Sequence, residues 1–229
     1  MLIKSASDSK EIREAIAKRD ALRQQALSYL LGLLFVAAGA VFIKKSGLGV
    51  SPVTALPEVL AAVCGGKIWA AAAFISAVTV AAQKLLRREK IRLNSLLQAA
   101  AGVVLIILVS FSEMVFSELP LPETYLTRLG FVLFGIFLSG MGMYVYMKQN
   151  ILLLPSEGFA EAAADRMQRS FSFGKCCTDI GFSAAALILQ LLFLGGFRSF
   201  TLPGTVREGT FLAALCTGQL FRLIRKVFK

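Results

Sequence analysis

Glu58 and Glu161 are carboxylates in two short stretches that are rich in apolar residues, where an ionised side chain is costly. Each lies six residues after a proline, Pro52 or Pro155. In helices that start at these prolines, both carboxylates would sit about 9 Å along the axis. A carboxylate in such surroundings usually faces a polar interior, so the pair predicts a cation or proton site. The alternative is ion pairing with neighbouring bases: Lys45 or Lys67 for Glu58, and Lys148 or Arg166 for Glu161.

Asp179 follows Lys175 by four residues, which places both side chains on one face of a helix. We expect an i,i+4 ion pair between them. The alternative is that Lys175 and Asp179 act in gating or proton coupling, together with Glu58 and Glu161.

The residues around the two prolines form a second set that could contact a solute. A helix N-terminus presents unpaired N–H groups and partial positive charge, which suit an anionic group or the oxygens of a polar solute. The predicted solute contacts are Ser51, Pro52, Thr54, Glu58, Pro155, Ser156, Glu157 and Glu161. Alternatively, Ser51 caps its helix and Glu157 only complements the helix dipole.

Other chemistry is excluded by residue content. The chain has no histidine, which rules out His-based catalytic triads, HExxH zinc sites and haem ligation by His. Its four cysteines show no CxxC spacing, so we expect no metal site. We predict no cofactor and no catalytic residues. A Ser–Lys pair of Ser51 with Lys44 or Lys45 is the weak argument for an enzyme.

Composition places these residues in a membrane protein. Hydrophobic residues make up 56% of the 229 positions and charged residues only 17%, with a mean hydropathy of +0.70. A soluble domain of this size would need more polar surface. The net charge is +11, and the basic residues stand at the ends of apolar runs. This distribution favours contact with anionic lipid over nucleic-acid binding.

Six apolar runs approach the roughly 20 residues of a spanning helix. They cover residues 26–43, 67–86, 95–117, 126–147, 176–197 and 206–224. Two shorter stretches, 47–64 and 151–165, each contain a proline. If these do not cross, and the N-terminus is cytoplasmic, 19 of the 25 Lys and Arg residues face inward. The positive-inside rule therefore predicts six spans, two re-entrant half-helices and cytoplasmic termini.

An internal repeat relates the halves. A shift of 103 residues places Gly32 on Gly135, Pro52 on Pro155 and Glu58 on Glu161. Three spans per half is an odd number, so the halves have opposite orientation, as in many transporters. The sequence thus predicts an all-α membrane protein with a 3+3 inverted repeat. Its parts are a cytoplasmic segment with an amphipathic helix (1–25, the helix over 8–24), a first repeat (26–117), an external linker (118–125) and a second repeat with a basic tail (126–229). The alternative for 8–24 is a plain solvated helix that leads into the first span.

Three motifs carry a family resemblance: GLGVSPVTALPEVL (47–60), LPSEGFAEAAADRM (154–167) and TVREGTFLAALCTG (205–218). On them, the chain resembles the YczE/YitT family of bacterial multi-pass membrane proteins over most of its length after about residue 26. It departs from that pattern at RLNSLLQAAAG (92–102), where Gly-Thr is common. The resemblance implies a transporter-like protein of the bacterial plasma membrane.

Function follows from these expectations. We expect a transporter or facilitator for a small polar solute, bound at the midplane between the two re-entrant helices. A solute channel and an accessory or scaffold protein that assists a partner complex are the alternatives. The lipid bilayer and the solute are the expected partners, and a homodimer is left open.

Overall fold

A computed structural model describes residues 2–195 and 205–228, with side chains from residue 19 onward. These residues form eight α-helices and no strand. The helices are α1 (Leu2–Lys45), α2 (Pro52–Cys64), α3 (Ile68–Arg87), α4 (Leu93–Val115), α5 (Tyr125–Lys148), α6 (Pro155–Arg166), α7 (Phe171–Phe193) and α8 (Glu208–Val227).

Five helices are long and apolar enough to cross a bilayer: Arg19–Lys45 within α1, and α3, α4, α5 and α7. They coincide with the first five expected spans, although residues 196 and 197 of the fifth lie outside the described part of the chain. The helix α8 has 20 residues, but every stretch of 18 in it carries three charged side chains. The sixth span therefore stays a prediction. So does the amphipathic face of residues 8–24, whose side chains up to residue 18 are not described.

The two shorter stretches form the short helices α2 and α6, of 13 and 12 residues. Pro52 and Pro155 occupy the first turn of each, where the missing N–H costs no hydrogen bond. The preceding residues, Ser51 and Leu154, have extended backbones. Gly65 ends α2 in the left-handed conformation that glycine favours. The predicted local geometry of both segments is therefore confirmed.

Glycines allow α1 and α5 to pack closely. A Cβ added at Gly32 would lie 2.9 Å from the carbonyl oxygen of Gly142, and one added at Gly39 would lie 2.5 Å from that of Gly135. Residue numbers rise along α1 as they fall along α5, so the two helices are antiparallel. Small residues at a helix crossing permit this close approach of the two backbones.

The packing partners of the first four helices match those of the last four. The helix α2 packs on α7, and α6 packs on α3. Likewise α3 packs on α4 and α7 on α8, while α1 contacts α4 as α5 contacts α8. Exchanging α1–α4 with α5–α8 thus reproduces the same set of neighbours.

The helices α4 and α8 start in the same way. The N–H of Arg92 donates to Oγ of Ser95 over 3.2 Å, and that of Arg207 donates to Oγ1 of Thr210 over 3.4 Å. Ser95 therefore replaces the threonine that the family resemblance led us to expect. Thr210 also accepts the N–H of Val50 over 3.0 Å, which anchors the extended segment before α2 to the start of α8.

Candidate functional site

The starts of the two short helices border one small cavity of about 30 Å³, named here the central cavity. Its wall is largely apolar, with hydroxyls from three side chains. It is lined by Val53, Leu56, Pro57, Ala72, Ile75, Ser76, Thr79, Gly102, Leu105, Ile106, Leu154, Pro155, Ser156 and Phe182. Helices α2, α3, α4, α6 and α7 all contribute, so the two short segments and three of their neighbours meet there.

Of the predicted solute contacts, Pro155 and Ser156 line the central cavity. Ser51, Pro52 and Thr54 are buried but do not line it. The Thr54 hydroxyl donates to the Ser51 carbonyl over 3.2 Å, and the Ser51 side chain makes no capping hydrogen bond. Instead, α2 lines the cavity with the apolar side chains of Val53, Leu56 and Pro57. The sequence analysis missed them because it selected only polar residues and prolines at the helix starts.

Glu157, Lys175 and Asp179 form a buried triad between α6 and α7. The Lys175 Nζ lies 2.7 Å from Asp179 Oδ1 and 3.1 Å from Glu157 Oε1, with side-chain exposures of 1–3%. The expected i,i+4 pair of Lys175 and Asp179 is confirmed. Ser156 donates its hydroxyl to the other Glu157 oxygen over 2.8 Å. Since Ser156 also lines the central cavity, one side chain separates the triad from the cavity.

Two tyrosines surround Glu157. Tyr146 of α5 is fully buried, and its hydroxyl lies close to the Glu157 carboxylate without meeting hydrogen-bond geometry with it. Tyr29 of α1 is within electrostatic reach of Glu157, and its ring packs edge-on against Tyr146 with centroids 5.8 Å apart. Neither tyrosine was identified from the sequence, because a single tyrosine near the end of an apolar run is also typical of the membrane interface.

Glu58 pairs with Lys44, which was not among its expected partners. The Lys44 Nζ lies 2.9 Å from Glu58 Oε2 and 2.7 Å from Glu113 Oε1, so this lysine joins α1, α2 and α4. The predicted partners Lys45 and Lys67 do not pair with it. Lys45 donates instead to the carbonyl of Ser117 over 3.0 Å.

Glu161 pairs with Arg87 rather than with Lys148 or Arg166. The Arg87 Nη2 lies 2.9 Å from Glu161 and 3.1 Å from Asp165, both on α6. Although Glu58 and Glu161 are equivalent in the sequence repeat, their partners are not equivalent. Glu58 is buried, whereas the Glu161 side chain is 41% exposed.

Arg87 and Glu161 lie in the wall of a second cavity of about 190 Å³, named here the polar cavity. Amide side chains and Tyr146 line its deeper part. The wall consists of Gln83, Lys84, Arg87, Asn94, Ser95, Gln98, Tyr146, Met147, Asn150, Ile151, Leu152, Leu153 and Glu161. Gln98 also donates to the Leu154 carbonyl over 3.4 Å, and so holds the extended segment that leads into α6.

Among the described residues, no group of three or more His, Cys, Asp or Glu side chains lies close enough together to hold a metal ion. The carboxylates instead alternate with Lys and Arg.

Comparison with known proteins gives a family. The model for "Family of unknown function (DUF6198)" matches residues 23–226, and the chain therefore belongs to this family. No curated protein and no solved structure matches the chain. The family does not carry the YczE/YitT name, so the more specific resemblance stays an expectation.

Proposed function

We propose that this member of the DUF6198 family is a multi-pass membrane protein that moves a small polar solute across the bilayer. The observation that carries the proposal is the central cavity, which the starts of both short helices border. Half-helices that meet inside a helical bundle are a recurrent way of building solute sites in transporters. Irregular backbone at membrane depth is tolerated where it is buried in protein or lines such a cavity.

The packing of the helices supports an inverted repeat with six spans and two re-entrant segments. Antiparallel α1 and α5 are the first helices of the two halves, so opposite directions for them mean opposite directions for the halves. The contact of α2 with α7 matches the contact of α6 with α3 when the two halves are exchanged, which agrees with an inverted repeat. In such transporters, two similar barriers flank one site and open alternately.

Two ion-pair groups are the proposed barriers. Lys44 links three helices through Glu58 and Glu113, at the ends of α1 and α4 that the positive-inside rule places outside. Arg87 links α3 to Glu161 on α6, at the opposite, cytoplasmic side. Opening either side would require its ion pairs to break, which is a gating role for the two repeat-related glutamates.

The resemblance to the YczE/YitT family supports the same class of function. The conformation described here has the polar cavity on the proposed cytoplasmic side, where it reaches Tyr146 and Gln98. On the opposite side, Lys44 holds α1, α2 and α4 together. The Arg87 pairs on the cytoplasmic side are also formed, so both proposed barriers are closed in this conformation, which favours a carrier over a continuously open channel.

The test is uptake of radiolabelled or mass-detected solutes into proteoliposomes, over a panel of small polar metabolites chosen by thermal shift. We expect at least one solute to stabilise the protein and to be transported with saturation. Ser76→Leu should abolish the flux, because Ser76 lines the central cavity and leucine would fill it. The adjacent Ala77→Leu is the matched control, since Ala77 is exposed on the same helix, and it should retain flux.

The opposite result would overturn the proposal. If no solute in the panel binds or moves, and Ser76→Leu purifies in a stable complex with another membrane protein as the wild type does, an accessory role is the better explanation.

A further inference from the structure

We infer that the buried triad of Glu157, Lys175 and Asp179 binds one exchangeable monovalent cation, either a proton or Na⁺. The first argument is charge: the triad holds two carboxylates but a single ammonium group. With all three ionised it would carry one net negative charge in a site with 1–3% side-chain exposure. An uncompensated charge in such a place is strongly unfavourable, so a bound cation stabilises the triad.

Among the residues that the structure describes, the surrounding elements do not supply the missing positive charge. The ionisable groups that act on the triad from them are Tyr29 of α1, Tyr146 of α5 and Cys176 of α7, with Cys216 of α8 behind the last. All four are neutral or negative groups. The N-terminus of α6 adds partial positive charge near Glu157, but only about half an elementary charge.

A second and independent observation marks where the cation binds. The Tyr146 hydroxyl is fully buried and close to Glu157, but its position does not meet hydrogen-bond geometry with that carboxylate or with another described residue. A buried hydroxyl without a partner is uncommon and requires an explanation. Beside a carboxylate, it supplies a further hard oxygen, which suits Na⁺, or an acceptor for a carboxylic acid proton.

Tyr146 and Ser156 place the triad between the polar cavity and the central cavity. Tyr146 lies in the wall of the polar cavity, so this one buried side chain stands between the triad and the cavity on the proposed cytoplasmic side. Ser156 donates to Glu157 on one side and lines the central cavity on the other. Cation binding at Glu157 therefore changes a hydrogen bond at the solute site. The use of this coupling to drive transport rests on the proposed function, whereas cation binding itself does not.

The experiment measures the melting temperature of the purified protein in detergent at mildly alkaline pH, with Na⁺ or with choline at equal ionic strength. A second arm lowers the pH toward neutral in choline alone. At least one of the two changes should raise the melting temperature of the wild type by about 3 °C or more. A response to Na⁺ that fades at lower pH identifies Na⁺ in competition with protons. A response to pH alone identifies the proton.

Glu157→Gln removes the excess negative charge, because it leaves one carboxylate opposite one ammonium, and it should abolish the response. Glu161→Gln is the matched control: it is the same change four residues later on α6, at the partly exposed Arg87 pair, and should respond like the wild type. If Glu157→Gln does not fold, Tyr146→Phe replaces it, since it removes one hydroxyl without a partner and keeps the ring. It should raise the half-saturating cation concentration about fivefold, the equivalent of one hydrogen bond.

Two results would overturn the inference: a wild-type melting temperature that is insensitive to both Na⁺ and pH, or a response that Glu157→Gln, or Tyr146→Phe in its place, leaves unchanged. Cation binding without any solute flux would instead contradict the proposed function and leave the cation site in place. Solute flux without cation binding would contradict the cation site and leave the proposed function in place.

Discussion

Lys44 shows how much depends on the direction of a single side chain. It neutralises Glu58, which is buried, and it also reaches Glu113 on another helix. Its neighbour Lys45 points elsewhere and binds backbone carbonyls at the end of α4. Successive residues of a helix point about 100° apart, so adjacent lysines serve different partners.

Lys44→Met should lower the free energy of unfolding by about 2 kcal/mol, because it leaves two neighbouring carboxylates without their shared cation. The value is below that for a fully buried pair because the Lys44 side chain is 29% exposed. The double variant Lys44→Met/Glu58→Gln should recover at least half of the loss. Unfolding by SDS titration in mixed micelles measures all three proteins. A double variant less stable than Lys44→Met would contradict the pairing.

The sequence predicted residue pairs within one helix but not between helices. Lys175 and Asp179 were paired correctly because i,i+4 spacing alone places them side by side. Glu157 joins them across the α6–α7 contact, which no spacing in the sequence specifies. Glu58 was assigned to Lys45 or Lys67, whereas its partner is Lys44, the residue beside Lys45 on α1, because the sequence does not specify which of two adjacent lysines faces α2.

At the scale of elements, the contact between α1 and α5 organises the two halves. Gly39 faces Gly135 so closely that a side chain on either would meet the backbone of the other helix. Small residues at such crossings let helices approach, and van der Waals contact along them is a main source of stability in lipid.

Gly39→Ala should therefore destabilise the protein by about 1–3 kcal/mol, as overpacking does in a tight interior. Its matched control is Gly130→Ala on α5, where an added Cβ meets nothing within 4 Å. That change should be neutral or stabilise by up to about 1 kcal/mol, since alanine favours helix over glycine. The same SDS titration compares them. Equal effects of the two substitutions would show that the crossing is not tight.

Proline and periodicity predicted most of the elements. Pro52 and Pro155 start their helices as expected, and five apolar runs became helices of spanning length. The first residue of α8 could not be placed from hydropathy, because its start depends on a Thr210 hydroxyl bonded to the distant Val50. That contact exists only in the assembled fold.

At the scale of the whole molecule, the central claim is that α2 and α6 enter the membrane from opposite sides. The charge count in the sequence predicts it, and the antiparallel α1 and α5 agree with it. Neither the charge count nor the antiparallel packing of α1 and α5 specifies how deep the two short helices lie in the membrane, because that depth depends on the bilayer around the protein. A chemical label applied from one side of the membrane can measure this directly.

The measurement uses a membrane-impermeant maleimide on intact cells and on inverted vesicles. In a variant with Cys176, Cys177 and Cys216 changed to alanine, the exposed Cys64 at the end of α2 is the single target. A second variant lacks Cys64 and carries Met167→Cys at the exposed end of α6. We expect Cys64 to be labelled only in intact cells and position 167 only in inverted vesicles. Labelling of both from the same side would contradict the opposed halves, and with them the proposed solute path.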